Sequence, residues 1–195
     1  MDKILNIAYS NQKTAWEIIQ NTNIIKLWKL INAKVNLVGS LPLGLLMKHR
    51  DIDFHIYSDQ LDLGESFNVM AKLAENKSIK KIENINLIHT KEECIEWHAW
   101  YENEKNELWQ MDMIHIRKGS FFDGYAEKLV ERLKILLSEE TRNRILKLKY
   151  ETPDTEKILG IEYYVAVLRD NVKSFEELQC WRIKNPVTDV VTWIP

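Results

Sequence analysis

The chain has 195 residues, of which 45% are hydrophobic and 29% are charged, and its formal net charge is −2. These values are ordinary for a soluble globular protein with one sizeable core or two small ones. A charge near zero argues against nucleic acid as a partner, because a protein that binds nucleic acid presents a broad basic surface. A small molecule or another protein fits this charge better.

The two cysteines, Cys94 and Cys180, lie far apart in the sequence and form no C-x-x-C pair. Their spacing argues against a disulfide framework and against a cysteine-type zinc site. Reduced thiols are typical of cytoplasmic proteins, so a cytoplasmic location is expected. The sequence shows no secretion signal and no apolar stretch of membrane-spanning length, so no membrane partner is expected.

The first 118 residues alternate between helical and strand patterns. Apolar side chains recur at helical spacing over residues 1–33, with an interruption at residues 21–23, which predicts two helices. A further helix is predicted after Gly64. Strand patterns occur at residues 35–38, 51–57, 81–89, 94–102 and 107–116. The last two form a predicted hairpin, and the whole pattern predicts a mixed sheet with flanking helices, an α/β (α+β) fold.

Residues 125–181 show helical periodicity throughout, which predicts a helical bundle in the C-terminal region, residues 119–195. One helix is predicted to start at Ser138, a good N-terminal cap. Another is predicted to start at Thr152-Pro153, with proline in the first helical position. A glycine-containing turn marks the predicted boundary between two regions, 1–118 and 119–195.

Residues 51–56 alternate strictly between polar and apolar side chains. Asp51, Asp53 and His55 lie on one face of the predicted strand, and the apolar residues between them lie on the other. Two carboxylates this close repel each other unless a cation lies between them. Hard oxygen ligands suit Mg²⁺ or Mn²⁺, so Asp51 and Asp53 are candidate metal ligands. The alternative is that both face water on an ordinary surface strand.

Two further features support the metal interpretation. Gly39-Ser40 ends the first strand, where the glycine lets backbone approach a ligand and the serine and following N–H groups can hold phosphate oxygens. The alternative there is an ordinary turn. Asp112 lies in a strongly apolar strand, where an unpartnered carboxylate is costly. It is predicted to join Asp51 and Asp53 around the metal, unless it is a hydrogen-bonded core residue.

Three motifs together resemble the DNA polymerase β-type nucleotidyltransferase superfamily: Gly39-Ser40, Asp51-x-Asp53 and the lone Asp112. The string from Lys48 to Phe54 is also similar to the metal-binding strand of small antibiotic nucleotidyltransferases. In the superfamily the serine contacts the triphosphate, the paired aspartates bind both metal ions and the third carboxylate binds one. The resemblance assigns these roles to Ser40, to Asp51 and Asp53, and to Asp112.

The resemblance implies an enzyme that moves a nucleoside monophosphate from an NTP to a hydroxyl of a small-molecule or protein acceptor. It implies a two-metal mechanism with Mg²⁺ or Mn²⁺ as cofactor and the NTP as co-substrate, and Asp112 would act as the base on the acceptor hydroxyl. Two alternatives stay open. One is a non-catalytic, antitoxin-like protein that binds a nucleotide or a partner, and the other is a metal-dependent phosphohydrolase.

Other charged side chains are candidates to complete the site. Lys48 and Arg50 flank the metal-binding strand and are candidate contacts of the triphosphate, unless they lie in a solvated loop. His55 either lines the acceptor pocket or faces solvent. One or two basic residues on the early C-terminal helices are expected to reach the nucleotide. These residues are Lys128, Arg132, Lys134, Arg142, Arg144, Lys147 and Lys149.

Overall fold

A computed structural model describes residues 1–187 and 193–195. Its strands are β1 (Lys34–Val38), β2 (Asp51–Ser58), β3 (Ile79–Leu87), β4 (Cys94–Glu102) and β5 (Leu108–Arg117). They form one mixed sheet in the order β1-β2-β5-β4-β3. The pair β2 and β5 is parallel, and the other neighbouring pairs are antiparallel. The predicted mixed sheet and fold class are confirmed.

Three helices cover one face of this sheet: α1 (Asp2–Thr22), α2 (Ile24–Lys29) and α3 (Leu63–Ala74). The alternation in β2 sends Ile52, Phe54 and Ile56 into this core, where each is at most 1% exposed. The same alternation leaves the aspartates of β2 on the opposite face of the sheet. The break between α1 and α2 is confirmed, because Asn23 adopts a left-handed conformation with φ of 51° and ends α1.

Four helices follow the sheet: α4 (Tyr125–Leu136), α5 (Glu139–Glu151), α6 (Gly160–Leu168) and α7 (Phe175–Lys184). They enclose a second apolar cluster that also takes in Ala8 from α1, Val38 from β1 and Leu45 from the loop after β1. The early C-terminal helices therefore pack directly on the loop that joins β1 to β2. The boundary near residue 118 stays a prediction, since this second core draws side chains from both regions.

One predicted helix start is confirmed and one is wrong. Ser138 caps α5, and its hydroxyl accepts a hydrogen bond from the Thr141 N–H at 3.2 Å. No helix begins at Thr152-Pro153, because Thr152 ends α5 instead: its buried hydroxyl bonds Leu148 O at 2.8 Å and the Tyr163 hydroxyl at 2.7 Å. The next helix begins only at Gly160. Within residues 1–187 and 193–195, no helix is both long and apolar enough to cross a membrane.

A buried histidine connects the sheet to the helices of the first core. His115 is 1% exposed, and its Nε2 lies 2.8 Å from Ser58 Oγ while its Nδ1 lies 3.4 Å from Ser66 Oγ. Its ring meets the ring of Trp28 edge to face at 4.9 Å. Burial lowers the pKa of His115 from 6.5 to about 4, because the site disfavours the charged imidazolium.

This shift predicts an acid-sensitive fold. The unfolded chain takes up the His115 proton more readily than the folded chain, so stability is complete above pH 6.5 and falls as the pH approaches about 4. Lowering the pH from 7 to 5 should cost about 2 kcal/mol through this residue. Urea denaturation of His115→Gln should show a pH dependence weaker by that amount, while His89→Gln, in an exposed turn, should behave as wild type. An unchanged pH dependence in His115→Gln would contradict the assignment.

Candidate active site

Three carboxylates lie together on the sheet face that the N-terminal helices leave free. The parallel register of β2 and β5 makes Asp53 the direct partner of Asp112, and Asp51 lies two residues before Asp53 on the same face. All three line one cleft of about 560 Å³, which α4 and α6 close on its other side. The predicted meeting of these side chains therefore follows from the pairing of two strands that are far apart in the sequence.

Asp53 is the most constrained of the three. Its pKa is raised well above the usual value, first by burial and then by the charges of Asp51 and Asp112. The Ser40 N–H and the ammonium of Lys149 act in the opposite direction and stabilise the ionised form. These two groups offset only part of the free-energy cost of ionising Asp53, because its pKa remains raised.

The donor set suits a hard divalent cation. Carboxylate oxygens on one sheet face are the ligands that Mg²⁺ and Mn²⁺ prefer, and a cation would relieve the repulsion that raises the pKa of Asp53. As they stand in residues 1–187 and 193–195, no three His, Cys, Asp or Glu side chains converge closely enough to hold a metal ion. A metal bound by Asp51, Asp53 and Asp112 would require these side chains to rotate toward one another, and it would need further oxygen ligands, which a triphosphate carries.

The turn after β1 is built around a close contact with Asp53. Gly39 has a φ of 69°, and a Cβ atom there would lie 1.9 Å from Asp53 Oδ2. The sequence predicts that Gly39 lets the backbone approach a ligand. In the structure the group that lies against Gly39 is the Asp53 carboxylate. The next residue, Ser40, is buried, and its hydroxyl lies 3.1 Å from the Tyr164 hydroxyl and accepts a hydrogen bond from Lys149 Nζ at 2.8 Å.

Lys149, a basic residue of α5, contacts the loop after β1 next to Asp53. Besides Ser40, its ammonium donates to Leu45 O at 3.1 Å and lies over the rings of Tyr163 and Tyr164, at 5.7 and 5.5 Å from their centres. Arg142 supports the same loop by donating to Gly44 O at 3.0 Å. The expectation that one or two of the seven basic residues approach the nucleotide stays a prediction, and Lys149 is the one that the geometry favours.

Lys48 and Arg50 have other partners. Lys48 pairs with Asp154 at 2.9 Å, and Arg50 pairs with Glu107 at 2.8 Å. Both line a groove separate from the cleft that holds Asp53. Arg50 lies away from this cleft because side chains alternate along a strand. The residue directly before Asp51 therefore points to the opposite side of the chain. Their contact with a triphosphate, expected from the sequence, has no support in these positions.

His55 lies inside the cleft and does not face bulk solvent. Its Nδ1 lies 3.3 Å from the Tyr57 hydroxyl and 3.9 Å from Glu127 Oε1. Burial lowers the pKa of His55, and the Glu127 carboxylate acts against this shift. Glu127 also accepts hydrogen bonds from Tyr57 and Asn36, at 2.9 and 3.0 Å. This network attaches α4 to β1 and β2 and places His55 on the wall of the cleft.

Two residues beside Asp112 were missed by the sequence reasoning. His98 Nδ1 lies 2.5 Å from Asp112 Oδ1, and Gln110 Nε2 donates to the same oxygen at 2.7 Å. The pairing of His98 with Asp112 could have been inferred from the predicted hairpin. The turn of this hairpin pairs Glu102 with Leu108, and counting back along both strands pairs His98 with Asp112.

Solved structures of other proteins share the fold of this chain. No protein-family model matches the sequence, and no curated protein matches it. The non-canonical poly(A) polymerase complex GLD-2–GLD-3 superposes with a TM-score of 0.56 at 10% identity over 86% of this chain and 58% of that chain. Cid1, known for RNA terminal uridylyl transferase activity, gives 0.57 at 14% identity over 86% and 52%. A Cid1 poly(U) polymerase structure bound to MgATP gives 0.54 at 16% identity over 86% and 50%.

The chain shares the fold of these poly(A) and poly(U) polymerases, as the resemblance to the DNA polymerase β-type nucleotidyltransferases predicted. It spans about half the length of the proteins that it resembles, and identities this low establish the fold alone. The argument from net charge against a nucleic-acid partner is wrong, because solved structures with this fold include polymerases that act on RNA. Net charge sums over the whole chain and does not describe the surface beside one cleft.

The contact between Gly39 and Asp53 gives a direct test of the site geometry. Gly39→Ala should lower the free energy of unfolding by about 3 kcal/mol or more, because it adds a clash with Asp53 to the strain of a left-handed residue. Gly119→Ala is the matched control: its φ is 77°, but nothing lies within 4 Å of the added Cβ atom. It should cost only the backbone strain, about 1 kcal/mol. Equal costs in denaturant titrations would contradict the packing of Asp53 on Gly39.

Proposed function

We propose that this protein transfers a nucleoside monophosphate from an NTP to an acceptor hydroxyl and releases pyrophosphate. The observation that carries the proposal is the placement of Asp51, Asp53 and Asp112 in one cleft beside the Gly39-Ser40 turn. Support also comes from the fold, which is shared with terminal uridylyl transferases and poly(A) polymerases. The intact set of carboxylates favours catalysis over a binding role without chemistry.

The triphosphate would lie between the turn after β1 and the helices α5 and α6. A second part of the cleft, about 400 Å³, is lined there by Ser40, Asp51, Lys149, Gly160 and Tyr163. Lys149 supplies a positive charge, and the Ser40 hydroxyl and nearby N–H groups supply donors for phosphate oxygens. The C-terminal helices are thus part of the nucleotide site and not a separate attachment.

The three aspartates would have different roles in the transfer reaction. Asp51 and Asp53 would hold Mg²⁺ or Mn²⁺, and Asp112 would share the metal and accept the proton of the attacking hydroxyl. When bound, two such ions supply a lowered pKa at the acceptor hydroxyl and charge neutralisation at the leaving pyrophosphate. The MgATP bound to Cid1 poly(U) polymerase supports the choice of metal and co-substrate.

The acceptor that we propose is the terminal hydroxyl of an RNA strand, because the proteins with this fold and a stated activity act on RNA. A small-molecule hydroxyl is the second candidate. It is favoured by the likeness of the string from Lys48 to Phe54 to small antibiotic nucleotidyltransferases.

A transfer assay tests the proposal and the role of Asp112 together. Each labelled NTP is incubated with Mg²⁺, the protein and a short RNA that ends in a 3′-hydroxyl, or the same RNA with a 3′-deoxy end, or a panel of small hydroxyl compounds. Asp112→Asn should reduce turnover by about 10²–10⁴-fold, as expected for loss of a positioned base. It should leave the fold intact, since an amide oxygen can still accept from His98 and Gln110.

The matched control is Asp59→Asn, whose side chain is exposed and pairs with Lys118 at the surface. It should turn over as wild type. Label on the 3′-hydroxyl RNA but not on the 3′-deoxy RNA would support the RNA acceptor, and label on a small compound would support the second candidate. Absence of pyrophosphate release with every NTP and acceptor would contradict the proposal and favour the nucleotide-binding alternative.

A further inference from the structure

The Asp112 carboxylate is held through a single oxygen. His98 Nδ1 lies 2.5 Å from Asp112 Oδ1, and Gln110 Nε2 donates to that same atom at 2.7 Å. Both donors lie in strands of the same sheet, and neither takes part in the transfer reaction proposed above. Because both contacts are made to Oδ1, and because Asp112 lines the cleft, the second oxygen, Oδ2, can serve a ligand there.

The arrangement is produced by strand register. The antiparallel pair β4–β5 sets His98 opposite Asp112, and the parallel pair β2–β5 sets Asp53 opposite the same residue. Asp112 therefore has a hydrogen-bond donor on one neighbouring strand and a like charge on the other. The side chains of His98 and Asp112 are 22% and 23% exposed, which places the pair at the cleft wall and not in the core.

Both the presence and the position of this carboxylate matter for the proposed transfer. Repulsion from Asp53 favours rotation of the Asp112 side chain away from the cleft. Two hydrogen bonds to Oδ1 oppose that rotation and restrict Oδ2 to one region beside Asp53. Groups that act on a reacting hydroxyl must be held within fractions of an ångström, and partners behind such groups commonly provide that restraint.

We propose that His98 and Gln110 are positioning residues that fix Asp112 so that its Oδ2 faces the acceptor hydroxyl and the metal. This inference rests on the role proposed above for Asp112. It gives His98 a function that depends on an N–H group at the position of Nδ1, and not on the bulk of the imidazole ring.

The test compares two variants of His98 in the full chain. His98→Leu removes the donor, and His98→Asn keeps an N–H at about the height of Nδ1. His98→Leu should lower kcat about 10–100-fold with KM for the NTP changed less than about threefold, and His98→Asn should recover most of the loss. His89→Leu makes the same chemical change in an exposed turn and should match wild type.

A second readout does not depend on turnover. Mn²⁺ affinity, measured by electron paramagnetic resonance with a non-hydrolysable NTP present, should weaken about tenfold in His98→Leu and recover in His98→Asn. If His98→Leu does not fold, as judged by circular dichroism, Gln110→Met removes the other donor at similar length and should shift both readouts in the same direction.

Three results would separate this inference from the proposed function. Unchanged kcat and Mn²⁺ affinity in His98→Leu would overturn the inference while the proposed function stands. Equal losses in His98→Leu and His98→Asn would also overturn it, because the N–H would then not be the relevant feature. If wild type transfers no nucleotide, the proposed function fails, and the Mn²⁺ comparison alone decides whether His98 positions Asp112.

Discussion

Three carboxylates lie side by side on the free face of the sheet because β2 pairs in parallel with β5. The crowding of Asp53 between Asp51, Asp112 and the Gly39 turn is the constraint on which the rest of the site depends. Burial and the two like charges raise the pKa of Asp53, and the Ser40 N–H and Lys149 offset this only in part. An arrangement that costs free energy in this way is typical of a site built to receive a cation.

The loop from Gly39 to Met47 connects this crowded face to the C-terminal helices. Ser40 meets Lys149 and Tyr164, and Gly44 accepts from Arg142, so α5 and α6 hold the loop from outside. Leu45 and neighbouring apolar residues place the same loop in the second core. The helices thus stabilise the turn after β1 and form the opposite wall of the cleft in which we propose that the nucleotide binds.

Much of the fold could be predicted from the sequence because it depends on local periodicity. The strict alternation in β2 determined which face carries Asp51 and Asp53, and the turn of the hairpin was visible in its composition. The bonds from Lys149 to the loop and from Lys48 to Asp154 could not be predicted, because they join residues about a hundred positions apart. Two of the seven basic residues, Arg142 and Lys149, contact the loop, and helical periodicity does not say which ones would do so.

Two errors have specific physical causes. The proline after Thr152 predicts a helix start there, yet the Thr152 hydroxyl bonds the preceding turn and ends α5. The net charge of −2 argues against nucleic acid, but a sum over the whole chain does not describe a local surface. The role of His98 was missed for a different reason: its pairing with Asp112 follows from the hairpin register, which had to be counted from the turn.

The proposed role of the site depends most directly on whether a divalent cation relieves the repulsion at Asp53. The decisive measurement is the free energy of unfolding of wild type and Asp53→Asn at pH 7, with and without Mg²⁺ and a non-hydrolysable NTP. A raised pKa means that the ionised form of Asp53 destabilises the fold above the usual aspartate range, so Asp53→Asn should be the more stable protein without metal. This advantage should vanish near pH 3.8 and below, where the carboxyl group is protonated in folded and unfolded chains alike. Mg²⁺ with the nucleotide should stabilise wild type more than Asp53→Asn. An Asp53→Asn protein that is less stable at pH 7, together with equal effects of Mg²⁺ on both proteins, would contradict the account.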